Sequence, residues 1–231
     1  MLIIPSLGGQ TPTIATYLNR AIEDAGIKTR LGQAMFIAQV AHESAGFTKL
    51  FEDGGHTVYN TKTHARSRYK AWRHAHPGKT AAEPGADEQV YDYFFFMYDK
   101  DSPDKGRQKV AMNLGNVNAG DGKLFRGRGY IQLTGRNNYR AAGKALELDL
   151  ENNPDLAAQP ANAARIAGWF WKMKGLNKHT KLDTANSFKA VTLGNNGGYN
   201  GLSDRTAICG RAKSVLGITA TSLVTKLTSP P

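Results

Sequence analysis

The sequence predicts a mainly α-helical protein with one small β-hairpin, and a few observations carry that reading. Apolar residues recur at helical spacing along most of the chain. One run, Tyr130-Ile131-Gln132-Leu133-Thr134, reads as strand, inside a stretch that holds Gly115, Gly120, Gly122, Gly127, Gly129 and Gly135. The chain has 231 residues, 40% of them hydrophobic. That is the length and composition of one domain, or of one domain with small lobes.

Thr11-Pro12-Thr13 marks the first helix start; Ile14, Tyr17, Leu18, Ala21, Ile22 and Ala25 give its apolar face, and Gly26 ends it. Thr29 is placed to cap the next helix. Residues 31–45 are apolar nearly all round, with Leu31, Ala34, Ala38 and Ala41 on one side and Phe36 and Val40 on the other. A helix apolar on every side is a buried one, and Gly46 is placed to stop it. Residues 53–89 are polar and rich in turns (Gly54-Gly55, Pro77-Gly78, Pro84-Gly85), with a short basic helix around Tyr69-Lys70-Ala71-Trp72. Residues 90–98 carry Tyr91, Tyr93, Phe94, Phe95, Phe96 and Tyr98, whose default role is core packing. Residues 99–107 read as a turn and 109–114 as a short helix. After the hairpin in 115–136, helices are expected at 137–148, 160–174 (with Ile166, Trp169, Phe170 and Trp171 in a core), 187–193 and 204–216. Asn152-Asn153-Pro154 breaks the first of these, and the amide-dense turn Asn195-Asn196-Gly197-Gly198-Tyr199-Asn200-Gly201 joins the last two. Residues 219–231 are expected to form a loose tail.

Composition excludes several classes. No apolar run approaches the roughly 18 residues of a membrane span, and neither repeats nor low-complexity linkers occur. The first ten positions lack a basic n-region and a cleavage motif, so no secretory signal is expected. The single cysteine, Cys209, excludes an internal disulfide and reads as a small buried hydrophobe. His56, His64, His74 and His76 show no metal-ligand spacing, and His42-Glu43 is no zincin pair, because the second His would fall at Gly46. These histidines are expected at the surface, with no metal and no cofactor. Gly127-x-Gly129 lacks the third glycine of a nucleotide loop. Arg126-Gly127-Arg128-Gly129, a single copy between apolar residues, is poor evidence for nucleic-acid binding. The net charge of +11 and the pI of about 9.7 favour a polyanionic partner, be it nucleic acid, an anionic envelope or an acidic cell-wall polymer.

The candidate chemistry lies at the end of the second helix. Glu43 falls nearly in line with Phe36 and next to Val40. An apolar face and the negative end of a helix both favour a neutral carboxyl, the form a general acid needs. Glu52 follows in Phe51-Glu52-Asp53-Gly54-Gly55, a loop setting that suits an ionised carboxylate. Two carboxyls in contrasting environments meet the requirement for glycosidic cleavage. The bland reading is a solvated or ion-paired Glu at a helix end, and the pair alone does not displace it.

Four motifs occur in one order: Ala41-His42-Glu43-Ser44; Gly127-Arg128-Gly129-Tyr130-Ile131-Gln132-Leu133-Thr134; Trp169-Phe170-Trp171; and Asn196-Gly197-Gly198, continued by Asn200-Gly201-Leu202-Ser203-Asp204-Arg205. In that order they resemble glycoside hydrolase family 19, and within it the bacteriophage endolysins, from about residue 14 to 217. The resemblance implies a lysozyme-like, two-lobed α-helical fold with a small β-hairpin element beside the cleft. Residues 1–231 would then be a single catalytic domain, with one lobe from 1–52 and 113–217, an inserted lobe at 53–112 and a tail at 218–231. It implies inverting cleavage of β-1,4 links between N-acetylated sugars. Glu43 matches the general acid, Glu52 the base that activates water, and Thr134 the hydroxyl that holds that water. Asp53 is an alternative base. Gln132, Asn138 and Asn196 match sugar-contacting positions, Tyr130 is grouped with them, and Arg205, grouped there too, matches a basic residue that sets the electrostatics of the acid. Plant chitinases carry a Glu where this chain has Asn200. Inversion needs carboxyls roughly 6.5–9.5 Å apart, with room for water.

The expected substrate is bacterial peptidoglycan, cut between N-acetylmuramic acid and N-acetylglucosamine. Plant chitinases of this family are disulfide-rich, unlike this chain, and the positive charge suits an anionic wall. The anionic outer envelope is a further expected contact. Neither nucleic-acid binding nor stable membrane insertion is expected, and a monomer is. The expected route is from the host cytoplasm to the cell wall through a pore made by another protein. The alternatives are a chitinase of the same fold and a non-catalytic wall- or nucleic-acid-binding domain.

Overall fold

Helices account for most of the described residues, 11–52, 72–75, 77–78 and 95–218, in a computed structural model. The elements are α1 (Thr11–Asp24), α2 (Arg30–Glu43), α3 (Lys105–Asn113), the single turn α4 (Asp121–Leu124), α5 (Arg136–Leu146), α6 (Pro160–Met173), α7 (Ala185–Asn196) and α8 (Leu202–Val215). Two 3₁₀ turns, Pro154–Ala158 and Leu176–His179, flank α6. The helices expected within the described residues are present with ends shifted by a few residues; of the one expected around Tyr69-Lys70-Ala71-Trp72, residues 69–71 lie outside the described residues. The turn expected at 99–107 gives way to α3 at Lys105, because the Asp104 carboxylate accepts from the Gly106 and Arg107 N–H groups and starts the helix early.

The residues group into two compact units, Met1–Thr48 with Phe170–Pro231, and Lys49–Trp169. This division differs from the expected lobes: 113–169 groups with 49–112. Hydrogen bonds explain the difference. The Asp99 carboxylate accepts from the N–H groups of Gly120 and Gly122, and Asn116 Nδ2 donates to the Tyr98 carbonyl at 3.1 Å. These bonds bind the residues around Tyr98 and Asp99 to the stretch from Asn116 to Gly122, so both fall in one unit.

In the first unit α2 is central. Thr29 caps it as expected, its Oγ1 accepting from Gly32 N–H at 3.0 Å. Ala34, Met35, Phe36, Ala38, Val40 and Ala41 are buried. The helix stops at Glu43, and Gly46, at φ 74°, closes the turn by donating to the Ala41 carbonyl. Its most extensive helix contact is with α8, and α7 touches both. The Phe36 ring meets Trp171 edge-on at 5.4 Å, and Trp171 Nε1 donates to Asn177 at 2.7 Å.

In the second unit the core is Phe125, Leu133, Tyr139, Ala142, Leu150, Ala157 and Ile166. The expected hairpin is present in minimal form. Arg128 and Leu133 exchange both backbone hydrogen bonds, at 2.8 and 3.2 Å, and Phe51 bridges Arg128 on its other side. Among the described residues these bridges are isolated and no longer strand forms. Arg128 is 2% exposed; its guanidinium donates to Asp155, the Leu124 carbonyl and the Tyr139 hydroxyl, and so locks the hairpin to the core. Among the described residues no helix is long and apolar enough to cross a membrane, and no group of three or more His, Cys, Asp or Glu is placed to hold a metal ion. His74 is exposed, as expected. His56, His64, His76, Asp53, Tyr91, Tyr93, Phe94 and the segment 219–231 lie outside the described residues.

Candidate active site

The site residues named from the sequence fall into two groups, one on each unit. In the first unit Glu43 ends α2, and its side chain is 20% exposed. Its Oε1 accepts from Arg205 Nη2 at 2.5 Å and from Asn195 Nδ2 at 3.4 Å. This corrects the apolar setting expected for the carboxyl. The face that carries Glu43 also meets a buried guanidinium, brought by α8 from 162 positions along the chain.

Arg205 is 1% exposed, and each arm of its fork is engaged. Nε donates to the Asn200 carbonyl at 3.0 Å and Nη1 to Gln39 Oε1 at 2.8 Å. Gln39, itself fully buried, donates from Nε2 to Thr192 Oγ1 at 3.0 Å, which fixes its amide with the oxygen toward Arg205. Its burial and its partners take Arg205 out of the group of sugar contacts and make it the residue that holds the Glu43 carboxylate. Buried charge is tolerable here because every arm finds an acceptor. Glu43 Oε2 accepts no hydrogen bond among the described residues, so one oxygen is held and the other is not.

A second tie lies beside the first. His42 Nδ1 and Asp204 Oδ2 are 2.6 Å apart. Gly201, at φ 70°, presses on the imidazole so closely that a Cβ there would lie 2.2 Å from the ring. The amide-rich turn thus ends in a glycine for a steric reason. Asn196, named as a sugar contact, is the last residue of α7 and half-buried, and it is its neighbour Asn195 that reaches Glu43.

In the second unit Glu52 is paired by its backbone to Gly127, N–H to carbonyl at 2.9 Å, while Gly127 N–H points at Glu52 Oε2 at 3.3 Å. A Cβ at Gly127 would lie 2.8 Å from Gln132 Oε1 and 3.2 Å from Glu52 Oε2, so glycine there lets both side chains come in. Gln132 sits at φ 52°, and its Nε2 donates to the Gly129 carbonyl at 2.9 Å. Thr134 Oγ1 donates to the Gln132 carbonyl at 2.8 Å, and Asn138 Nδ2 to the Thr134 carbonyl at 2.7 Å. Glu52, Gln132, Thr134 and Asn138 thus hang on one hydrogen-bonded loop. Tyr130 does not join them on the surface: its ring is 0% exposed and packs inside, a correction to its grouping with the sugar contacts.

Sequence reasoning missed Gln39, Thr192 and Asn195. Gln39 had a signal: it stands one helical turn before Glu43 as a polar exception in an apolar helix. Asn195 stood in the amide-dense turn, where nothing set it apart from its neighbours, and Thr192 had no signal.

The model of glycoside hydrolase family 19, described as chitinase class I, matches residues 71–195. A glycosyl hydrolase family 19 domain-containing protein of Haemophilus influenzae is 31% identical over 190 residues, which cover 81% of this chain and 82% of that one. The chain belongs to glycoside hydrolase family 19. It is therefore a glycosidase, similar to chitinases, acting on a carbohydrate polymer. An acidic endochitinase of Petunia hybrida is 53% identical over 58 residues, 25% of this chain and 23% of that protein. Chitinase C of Streptomyces griseus has the same fold at a TM-score of 0.53 and 19% identity, covering 88% of this chain and 70% of that one. The stretch matched by the family 19 model contains Gln132, Thr134 and Asn138; Glu43 and Glu52 precede it.

Proposed function

We propose that this family 19 glycosidase is a lytic peptidoglycan hydrolase of the endolysin kind, which cuts the β-1,4 bond between N-acetylmuramic acid and N-acetylglucosamine with inversion. Glu43 delivers the proton to the leaving oxygen, Glu52 takes one from the attacking water, and Thr134 positions that water. Gln132, Asn138 and Asn196 offer amide groups, which both donate and accept hydrogen bonds, as N-acetyl sugars require. The observation that carries the acid assignment is the hold on Glu43. Arg205 and Asn195 fix Oε1 and so orient the carboxyl, while Oε2 accepts no hydrogen bond among the described residues. The net charge of +11 supports an anionic wall over a neutral polymer.

The names of the relatives favour a second reading, a chitinase. One experiment decides between the two. Purified sacculi and chitin oligomers are digested in parallel, and the products are weighed by mass spectrometry. Muropeptides with a muramic acid reducing end support the proposal. Turnover of chitin oligomers alone gives the chitinase, and glucosamine-type ends from sacculi move the cut to the other bond.

A further inference from the structure

The loop that holds Glu52 also holds a cation with spare hydrogen-bond donors. The backbone of Arg126 is fixed, since its carbonyl accepts from the Tyr139 hydroxyl at 2.7 Å and from Arg128 Nη1 at 3.3 Å. Its guanidinium is anchored at one corner, where Nη1 donates to the Lys123 carbonyl at 3.0 Å, and it lies 5.8 Å from the centre of the Phe51 ring. Phe51 is 45% exposed and directly precedes Glu52. Among the described residues no carboxylate pairs with Arg126, its Nε is buried without an acceptor, and Nη2 makes no hydrogen bond. Arg128, 5.9 Å from the same ring, is the contrast: it is buried, and Asp155 neutralises it.

A buried donor without an acceptor is costly and rare in folded proteins, so its retention calls for a reason. A guanidinium is a flat fork that matches a carboxylate, and an aromatic face beneath it holds it in place at little cost to its charge. The geometry points to Arg126, seated on Phe51, as a specificity residue that receives a carboxylate of the substrate. Chitin is neutral, whereas the stem peptides on alternate sugars of peptidoglycan carry free carboxylates. The inference rests on the peptidoglycan reading above and adds to it the part of the substrate that is read.

The test pairs a change in the protein with a change in the substrate. Initial rates of reducing-end release are measured on purified sacculi and on the same sacculi with their carboxyls amidated by carbodiimide and ammonia. Amidation should slow the parent about 10-fold, the scale of one charged hydrogen bond. Arg126→Gln should be slowed to a similar extent on native sacculi and should be indifferent to amidation, while Arg126→Lys recovers part of the rate. A parent equally fast on both substrates overturns the inference, whatever the variants do. So does an Arg126→Gln enzyme slowed equally on both, because that places Arg126 in the fold or the chemistry. A parent that releases no muropeptide from native sacculi removes the peptidoglycan reading itself, which is a different failure.

Discussion

Glu43→Gln preserves the shape of the side chain and the oxygen that Arg205 holds, and removes the proton. Turnover should fall by at least ~10²-fold through lost acid catalysis, with the melting temperature little changed. Reducing-end release and a thermal melt on the same sample check it; a mutant as fast as the parent places the acid elsewhere. Gln39→Leu tests the hold rather than the proton. It leaves Arg205 Nη1 without its acceptor inside the protein, a cost of about 1–3 kcal/mol. Denaturant unfolding should show that loss, and kcat should fall with it as the carboxylate loses its fixed position. An unchanged kcat would mean that Asn200 and Glu43 suffice to seat the guanidinium. At this scale the sequence shows which residue types are present and which share a helical turn. Gln39 and Glu43 are four positions apart, so their common face is legible. The arrival of Arg205 and Asn195 is not, because it depends on how α7 and α8 pack on α2. Tyr130 shows the opposite limit. Its motif is plain in the sequence, but whether its ring faces in or out is set by the pairing of Arg128 with Leu133.

Helices were the most legible elements, because apolar spacing and caps are written locally. Thr29 is the clearest case, a threonine before an apolar run that accepts from Gly32 N–H. Thr29→Ala should destabilise the fold by about 1 kcal/mol, read as a lowered midpoint in urea with an unchanged slope. A change in slope instead would mean that α2 frays rather than weakens. The 3₁₀ turns at Pro154–Ala158 and Leu176–His179 were not legible, since they carry no apolar period and result from the chain path on either side of α6. The expected hairpin reduces, among the described residues, to two isolated bridges, Phe51 with Arg128 and Arg128 with Leu133. Gly127, Gly129 and Gly135, inside and beside the run from Tyr130 to Thr134, keep it from forming a longer strand.

For the whole molecule, the division into units was the least legible feature, because it depends on hydrogen bonds such as those of Asp99 rather than on composition. Its electrostatics give a pH prediction. The Arg140 and Arg136 guanidiniums hold the Glu151 carboxyl down to about 2. A carboxylate lowered by folding stabilises the protein above its unfolded value, near 4.5, and that contribution is lost as pH falls toward 2. Thermal melts between pH 5 and 2 should therefore fall less steeply for Glu151→Gln than for the parent; parallel curves would show that the pair is too solvent-screened to matter. At the other end, burial raises the Tyr139 hydroxyl to about 12 and the Cys209 thiol to about 11. Both groups stay neutral in the folded protein, and their stabilising contribution is lost as pH rises through those values.

The unit that bears Glu43 is assembled from two stretches, Met1–Thr48 and Phe170–Pro231, that the other unit separates in sequence. During synthesis the acid emerges before its arginine clasp, and the whole intervening unit is made between them. A nascent or truncated product ending before α8 therefore carries the carboxyl without the group that seats it. Seating of the carboxyl then waits on the synthesis of α8.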